Sequence, residues 1–303
     1  MSLLKKLPEV RGRYQENVQL APLTTIKVGG VADVVFEPVD LTDLQVFIKG
    51  LPADIPFMIL GEGSNVMLKD GGVRGVVIRL RKCLNSVEVE GLNVIAESGA
   101  TGGKVARIAR EYGLTGAEFL CGIPGSIGGA LKMNAGAYGH ETVDILTEVE
   151  VMTRDGELLK LKPKELDFSY RSSQLPQGSL FVKAVFTLRH GEKEEIRNRM
   201  REINKNRATS QPLNLPSSGS WFKNVINDDG SVKHAWEIVS EAGCRGMRVG
   251  DAQVSMKHCN FFVNLGEATA EDMMLLSEKV EAQVEERLGI KLEREVRFVG
   301  EDA

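Results

Sequence analysis

Glycine is concentrated in two short stretches of this chain whose make-up suits the grip of a phosphate. The first is LGEGSNVML, Leu60–Leu68. The second is CGIPGSIGGALKMNAGAYG, Cys121–Gly139, with six glycines in nineteen residues. Glycine lets successive backbone N–H groups turn towards one point and lets a ligand approach without a Cβ clash. The candidate backbone positions are Gly61, Gly63, Gly125, Gly128, Gly129 and Gly136, and Ser64, Asn65, Ser126 and Asn134 add neutral donors. A single glycine in such a place is an ordinary turn residue. Two dense clusters, each following a strand and lying on neighbouring subdomains, could hold a pyrophosphate between them and point to a phosphate-bearing cofactor.

Other nucleotide motifs fail on their spacing. GEGSNV starts like the dinucleotide fingerprint, but Val66 stands in place of the third glycine and no long helix is expected after it, which argues against a Rossmann site. SGATGGKV, Ser98–Val105, has Ser98 where a P-loop starts with glycine and Val105 where it needs a magnesium-binding hydroxyl, so a kinase or ATPase is rejected. The cysteines, Cys83, Cys121, Cys244 and Cys259, form no CxxC pair and read as small buried hydrophobes. His140, His190 and His234 read as structural, and no metal-ligand spacing occurs, so no metal is expected.

These loops need elements to carry them. From Thr24 to about Val77 the pattern predicts strands at Thr25–Val28, Asp33–Phe36, Phe57–Leu60 and Val76–Arg79, with a helix at Leu41–Lys49 capped by Asp40 or Thr42. A second unit follows, with strands Ser86–Val89 and Val94–Ser98 around Gly91. Lys104–Tyr112 has a helical apolar face and Gly113 as its C-terminal stop. Asp155-Gly156 marks a hairpin, and Leu180–Leu188 a strand. Beyond Gly191 the charged segment Glu192–Lys205 reads as a helix and Ala208–Ser220 as a loop. A helix is then expected at His234–Glu241, a strand at Phe261–Asn264, a helix from Thr269 to about Leu288 with Thr269 and Asp272 as its capping pair, and a strand at Glu293–Val299. The predicted class is α+β, with a boundary at about 191–206.

Composition narrows the function. The 303 residues suggest about two domains at roughly 150 residues each. Hydrophobic residues at 42% and charged residues at 26% are those of a globular chain. The longest apolar runs, Phe57–Leu60 and Met273–Leu276, fall far short of the ~20 residues of a membrane span. The opening MSLLKKLPEVRGRY has no signal-peptide core, so a cytoplasmic protein is expected. The formal net charge of −4 disfavours a protein that grips nucleic-acid phosphates.

Seven segments in order resemble the UDP-N-acetylenolpyruvoylglucosamine reductase family of flavoenzymes, which make a peptidoglycan precursor. They are APLTTIKVGGVAD (Ala21–Asp33), LGEGSNVML, GIPGSIGGALKMNAGAYG, DFSYRSS (Asp167–Ser173), SSGSWFKN (Ser217–Asn224), GDAQVSMKHCNFFVN (Gly250–Asn264) and LEREVRFVG (Leu292–Gly300). The resemblance spans nearly the whole chain and rests on the combination of GIPGSIGG…MNAGAYG with GSWFKN. Ser126 stands where the family often has threonine, Val225 where proline is usual, and Cys259 where alanine is common. The length is similar to that of the short form, which lacks an extra substrate-loop tyrosine.

The resemblance implies an FAD-binding module of the p-cresol methylhydroxylase type, built from two α+β subdomains, and a C-terminal substrate-binding domain. The divisions it implies are 1–20 as an N-terminal extension, 21–80 and 81–191 as the FAD-binding subdomains, and 192–303 as the substrate domain. The implied reaction is NADPH-dependent reduction of UDP-N-acetylglucosamine enolpyruvate through non-covalent FAD, with no nucleic acid, membrane or obligate protein partner. Arg171 is implied to face the substrate carboxylate, a task suited to its planar, permanently charged fork. Ser220 is implied to be the proton donor and Glu295 a carboxylate that assists. Tyr170, Arg207, Gln211, Lys223, Asn224 and His258 are implied substrate contacts. Taken alone, Arg171 reads as a structural ion pair, for example with Asp167. Ser220 alone reads as a loop serine or cap, and Glu295 as an exposed strand charge sharing a face with Arg297 and Val299.

Competing readings are an FAD oxidase or dehydrogenase of the same module acting on a hydroxy acid or alcohol, an inactive FAD-binding scaffold, and a serine hydrolase. The Arg171, Ser220 and Glu295 set argues against the first, because an oxidase needs no carbon-protonating acid, and the retention of all three positions argues against an inactive scaffold. No GxSxG elbow supports the last.

Overall fold

In the computed structural model, which describes residues 3–227 and 229–303, the helices are α1 (Leu41–Gly50), α2 (Gly102–Glu111), α3 (Ile127–Lys132), α4 (Lys193–Ser210), α5 (Ala235–Glu241) and α6 (Ala270–Leu288). Local chemistry sets most of their ends. The Asp40 carboxylate accepts the Asp43 N–H at 2.9 Å at the start of α1, and the Thr101 hydroxyl accepts the Lys104 N–H at 3.2 Å at the start of α2. Thr269 and Asp272 cap α6 reciprocally, at 3.0 and 3.1 Å. Each bond satisfies a donor that a first turn leaves unpaired. Gly289, at φ +66°, ends α6 in the left-handed conformation that favours glycine.

The chain forms two compact units. The first comprises the chain up to Glu16, Val34–Glu62 and Gly75–Asn206. The second comprises Asn17–Asp33, Gly63–Arg74 and Arg207–Ala303.

The first unit carries a five-stranded antiparallel sheet in the order Leu158–Leu161, Leu146–Met152, Leu180–Thr187, Asn93–Glu97, Val87–Glu90. The hairpin expected at Asp155-Gly156 joins the first two, with Gly156 at φ +74°. Leu180–Thr187 is nearly all apolar because it feeds two cores. Leu180 and Val182 join Phe36, Phe47 and Ile78. Ala184 and Phe186 join Val94, Val105, Phe119 and Leu131. α1 buries Leu44, Phe47 and Ile48 in the first of these cores, beside the parallel pair Phe57–Ile59 and Val73–Ile78. α2 buries Val105, Ala106 and Ala109 in the second; of the face expected at Val105, Ile108, Ala109 and Tyr112, Ile108 is only half-buried and Tyr112, past the end of the helix, is exposed.

The second unit carries a four-stranded antiparallel sheet in the order Ser217–Ser220, Phe261–Asn264, Ala252–Val254, Arg248–Val249. α5 and α6 supply Ile238, Val239, Met273, Leu276, Val280 and Val284 to its core. Trp221 is fully buried and stacks on Phe262 at 4.2 Å between centroids, and its indole N–H donates to Ser277 Oγ at 2.8 Å. Arg297–Val299 pairs in parallel with Val66–Leu68.

Three expectations are corrected. Thr25–Val28 is not a strand. Lys27 is left-handed at φ 61°, and the Thr25 hydroxyl donates to the Ser217 carbonyl at 2.7 Å, so the segment is pinned by side chains. Ala208–Ser220 is not all loop: α4 runs to Ser210, just ahead of Pro212, and Ser217–Ser220 pairs with Phe261–Asn264. Of Glu293–Val299, the strand is Arg297–Val299, so the strict alternation expected of Glu295 does not apply. No helix among the described residues is long and apolar enough to cross a membrane.

Candidate active site

The two glycine-rich loops meet in the first unit. A Cβ on Gly61 would lie 2.6 Å from Ser126 Oγ, so glycine is what allows this approach. Ser126 caps α3, accepting the Gly129 N–H at 3.3 Å. The open nest expected here is partly filled by the protein itself. The Ile127 N–H donates to the Ala100 carbonyl at 2.8 Å and the Gly128 N–H to the Ser98 carbonyl at 2.7 Å, so these two N–H groups fasten α3 to the segment before α2. Gly125, at φ 132°, makes the turn that brings the chain into α3. Beside Gly128 lies Ser98, 3% exposed, whose hydroxyl is buried with no hydrogen-bond partner. A buried hydroxyl lacking a partner costs stability. That unpartnered hydroxyl fits a bound group carrying phosphate or other polar atoms.

The loop Leu60–Leu68 continues into the second unit. Gly63, at φ 64°, approaches the backbone of Leu23 and Thr24, and its carbonyl accepts the Thr25 N–H at 3.1 Å. Ser64 presents its carbonyl to Gly219, 3.7 Å from where a Cβ would stand. Asn65 is engaged by the chain: its Nδ2 donates to the Glu295 carbonyl at 3.3 Å, and its carbonyl accepts the Arg297 N–H at 3.2 Å.

Arg171 occupies the tip of a tight turn in the first unit. Ser169 and Ser172 exchange backbone hydrogen bonds at 3.0 and 3.1 Å, and Arg171 is left-handed at φ 58°. A non-glycine residue there stores roughly 1–2 kcal/mol of strain, which marks the turn for notice. The guanidinium lies over the Tyr170 ring at 4.6 Å, donates from Nη2 to the Gly136 carbonyl at 3.3 Å, and faces Glu141 at 3.8 Å. The ion pair therefore involves Glu141, where Asp167 had been the example expected. Gly136 belongs with Arg171, since a Cβ on it would lie 3.3 Å from Nη1. Asn134, one of the expected cofactor donors, has its amide bonded to Glu141, Ser169 and Val143.

Ser220 and Glu295 lie on adjacent segments of the second unit. Ser220 pairs with Phe261 across the sheet, past a register shift that Gly219, at φ 78°, helps to make. The Glu295 N–H donates to the Trp221 carbonyl at 2.8 Å, and the Lys223 N–H donates to the Glu293 carbonyl at 2.8 Å. Asn260, buried at 4% exposure, clamps this segment. Its Oδ1 accepts the Phe222 N–H at 2.9 Å, its Nδ2 donates to the Phe222 carbonyl at 2.8 Å, and its own carbonyl accepts the Trp221 N–H at 2.7 Å. Sequence reasoning missed Asn260 and Glu141. A polar residue directly before the apolar run FFV was a signal for Asn260, but its partner is 38 residues away.

The other expected contacts are mostly engaged within the second unit. Lys223 pairs with Glu293 at 2.5 Å, and Asn224 Oδ1 accepts the Ala235 N–H at 3.0 Å at the start of α5. Arg207 donates to Gln211 at 3.3 Å. His258 packs against Phe261 at 4.8 Å and accepts the Asn260 N–H on Nδ1 at 3.3 Å. Burial pushes its pKa below the usual 6.5, with the Arg245 charge adding to the effect, so the ring is mainly neutral at pH 7. Among the described residues no group of three or more His, Cys, Asp or Glu side chains could hold a metal ion.

Comparisons with known proteins extend this picture. The model of the family described as "FAD binding domain" matches residues 32–162. The model described as "UDP-N-acetylenolpyruvoylglucosamine reductase, C-terminal domain" matches residues 211–299. A UDP-N-acetylenolpyruvoylglucosamine reductase of Parvibaculum lavamentivorans is 46% identical over 299 residues, covering 99% of this chain and 95% of that protein. One of Sphingopyxis alaskensis is 44% identical and covers 99% of each. The crystal structure of the Thermus caldophilus UDP-N-acetylenolpyruvylglucosamine reductase superposes with a TM-score of 0.80 at 35% identity, covering 96% of this chain and all of that one.

Proposed function

The chain belongs to the UDP-N-acetylenolpyruvoylglucosamine reductase family, and from that premise we infer that it reduces UDP-N-acetylglucosamine enolpyruvate to UDP-N-acetylmuramate, with FAD as cofactor and NADPH as reductant. The observation that carries this reading is the match to reductases over 99% of the chain, which takes in the cofactor loops and the turn bearing Arg171 as well as the segments bearing Ser220 and Glu295. FAD bound there would supply the hydride chemistry, linking NADPH oxidation to reduction of the enolpyruvyl double bond.

The chain's own residues handle charge and proton. The Arg171 guanidinium binds the substrate carboxylate and stabilises the negative charge that spreads onto it as the double bond is reduced. Its contact with the Tyr170 ring keeps its planar face against an apolar surface. The Ser220 hydroxyl delivers a proton to the adjacent carbon, and the Glu295 carboxylate assists that delivery. Serine is a weak acid in water, but a strongly basic carbon in a dry site brings the transfer within reach. Gly61, Ser98, Ser126 and Gly128 frame the cofactor in the first unit, and Gly63, Ser64 and Asn65 continue the loop. Lys223 and Asn224 contact substrate oxygens in this reading, and Arg207, Gln211 and His258 contact its diphosphate or uridine.

The division 1–20, 21–80, 81–191 and 192–303 remains the functional partition of this reading, and the enzyme is placed in the cytoplasm. The flavin is held without a covalent bond, since LGEGSNVML offers neither His nor Cys. Retention of flavin by acid-denatured protein would contradict that point.

The test follows flavin absorbance under anaerobic conditions. NADPH bleaches it, and UDP-N-acetylglucosamine enolpyruvate restores it. Bleaching without recovery discards this substrate, and a protein that cannot be reconstituted with FAD discards the whole reading.

A further inference from the structure

Asn134 is 1% exposed, left-handed at φ 39°, and its amide ties three stretches of the first unit together. Nδ2 donates to Glu141 Oε2 at 2.8 Å and to the Ser169 carbonyl at 3.1 Å, while Oδ1 accepts the Val143 N–H at 3.1 Å. Ser169 opens the turn that carries Arg171, and Glu141 presents its other oxygen to Arg171 Nη1 at 3.8 Å. One buried amide therefore fixes both the backbone that carries the arginine and the carboxylate that faces it. Glu141 is itself held at its backbone, where Asp144 accepts its N–H at 2.8 Å.

We propose that Glu141, fixed by Asn134, is a positioning residue for Arg171, setting the direction in which the guanidinium presents itself to the substrate carboxylate. This rests on the reading of Arg171 given above. An arginine side chain is long and flexible, and one already oriented loses less freedom when its ligand arrives. Among the contacts that restrict this one are the Tyr170 ring below it, the Gly136 carbonyl on Nη2, and the Glu141 carboxylate beside Nη1. At 3.8 Å the Glu141 contact lies beyond hydrogen-bonding range, so it acts by charge attraction. Glu141→Gln preserves the shape and an acceptor for Asn134 while removing that attraction.

The experiment compares wild type, Glu141→Gln, Arg171→Ala and the double variant. Enzyme reduced anaerobically by NADPH is mixed with UDP-N-acetylglucosamine enolpyruvate, and flavin reoxidation is followed. A second readout is the Kd of UDP-N-acetylmuramate for the oxidised flavoprotein. The proposal expects Glu141→Gln to slow reoxidation about tenfold and to weaken product binding severalfold, yet to change neither further once Arg171 is alanine. An equal effect of Glu141→Gln in both backgrounds overturns the proposal, because the residue would then act independently of Arg171. So does wild-type behaviour of Glu141→Gln while Arg171→Ala is slow, or loss of flavin by Glu141→Gln, which would make the cluster structural. Wild-type reoxidation by Arg171→Ala overturns instead the underlying role of Arg171.

Discussion

The backbone N–H of Glu295 donates to the carbonyl of Trp221 at 2.8 Å, which sets Glu295 one residue across from Ser220. The two are 75 positions apart in sequence (295 − 220) and share one unit. The segment from Ser220 to Asn224 is fixed on both sides, by Asn260 and by the backbone of Glu293 and Glu295. A residue asked to deliver a proton at one carbon needs that kind of support, because a misplaced donor is as ineffective as a missing one.

Ser220→Ala tests the proton delivery directly. NADPH continues to bleach the flavin, while reoxidation by the enolpyruvyl substrate slows by about 100- to 10,000-fold, the range expected for removing a general acid. Stopped-flow absorbance separates the two phases. Reoxidation at the wild-type rate would assign the proton to another group.

Asn260→Ala tests the clamp. Both side-chain bonds to Phe222 are lost in a buried place, leaving a backbone N–H and a carbonyl without partners. The expected loss is about 2–4 kcal/mol of stability, seen as a lower melting temperature in calorimetry. A change within about 0.5 kcal/mol would show that water or a shifted backbone takes over both bonds.

How far these features could be read in the sequence depended on how local their causes are. Most helices were legible because signals such as Asp40 and the Thr269–Asp272 pair act within one turn of themselves, but α3, inside the segment read as the second glycine loop, was not. Thr25–Val28 was not, since its hydrogen-bond partners are Gly63 and Ser217, far along the chain. The loop Leu60–Leu68 was legible as a glycine cluster, but not its division: Gly61 turns to Ser126 and Asn65 holds Glu295. The Arg171 turn carries no glycine or asparagine at its left-handed position, so nothing local announced it. Only the resemblance drew attention to that arginine. Glu141 had no local signal either, and the polar Asn260 before FFV was only a faint one, as each matters through partners supplied by the fold.

His258 makes a pH-dependent contribution with a definite sign. Its folded-state pKa is depressed below 6.5, so the unfolded chain takes up the proton first as pH falls. The stability associated with the neutral ring is complete above pH 6.5 and is lost as pH drops from there towards the folded-state value. Thermal melts at pH 7 and pH 5 should show a smaller drop for His258→Gln than for wild type, whatever the variant's absolute stability. Equal drops would remove His258 from the acid-sensitive groups.

Cys83 should be inert although it is not fully buried. Burial, with the charges of Glu97 and Asp40 adding to it, pushes its thiol up to about 12, and the sulfur sits 3.6 Å from the Leu80 carbonyl. At pH 8 about one molecule in 10,000 would then carry the thiolate, against roughly a quarter for an ordinary cysteine. Alkylation follows the thiolate, so iodoacetamide at pH 8 should leave Cys83 unmodified in the native protein and modify it readily in denaturant. Peptide mass spectrometry after short exposures reads this out site by site. Rapid native labelling would mean that the turn after Val73–Ile78 opens often enough to expose the thiol to water, and the reaction rate would then report that opening in place of the acidity of the folded site.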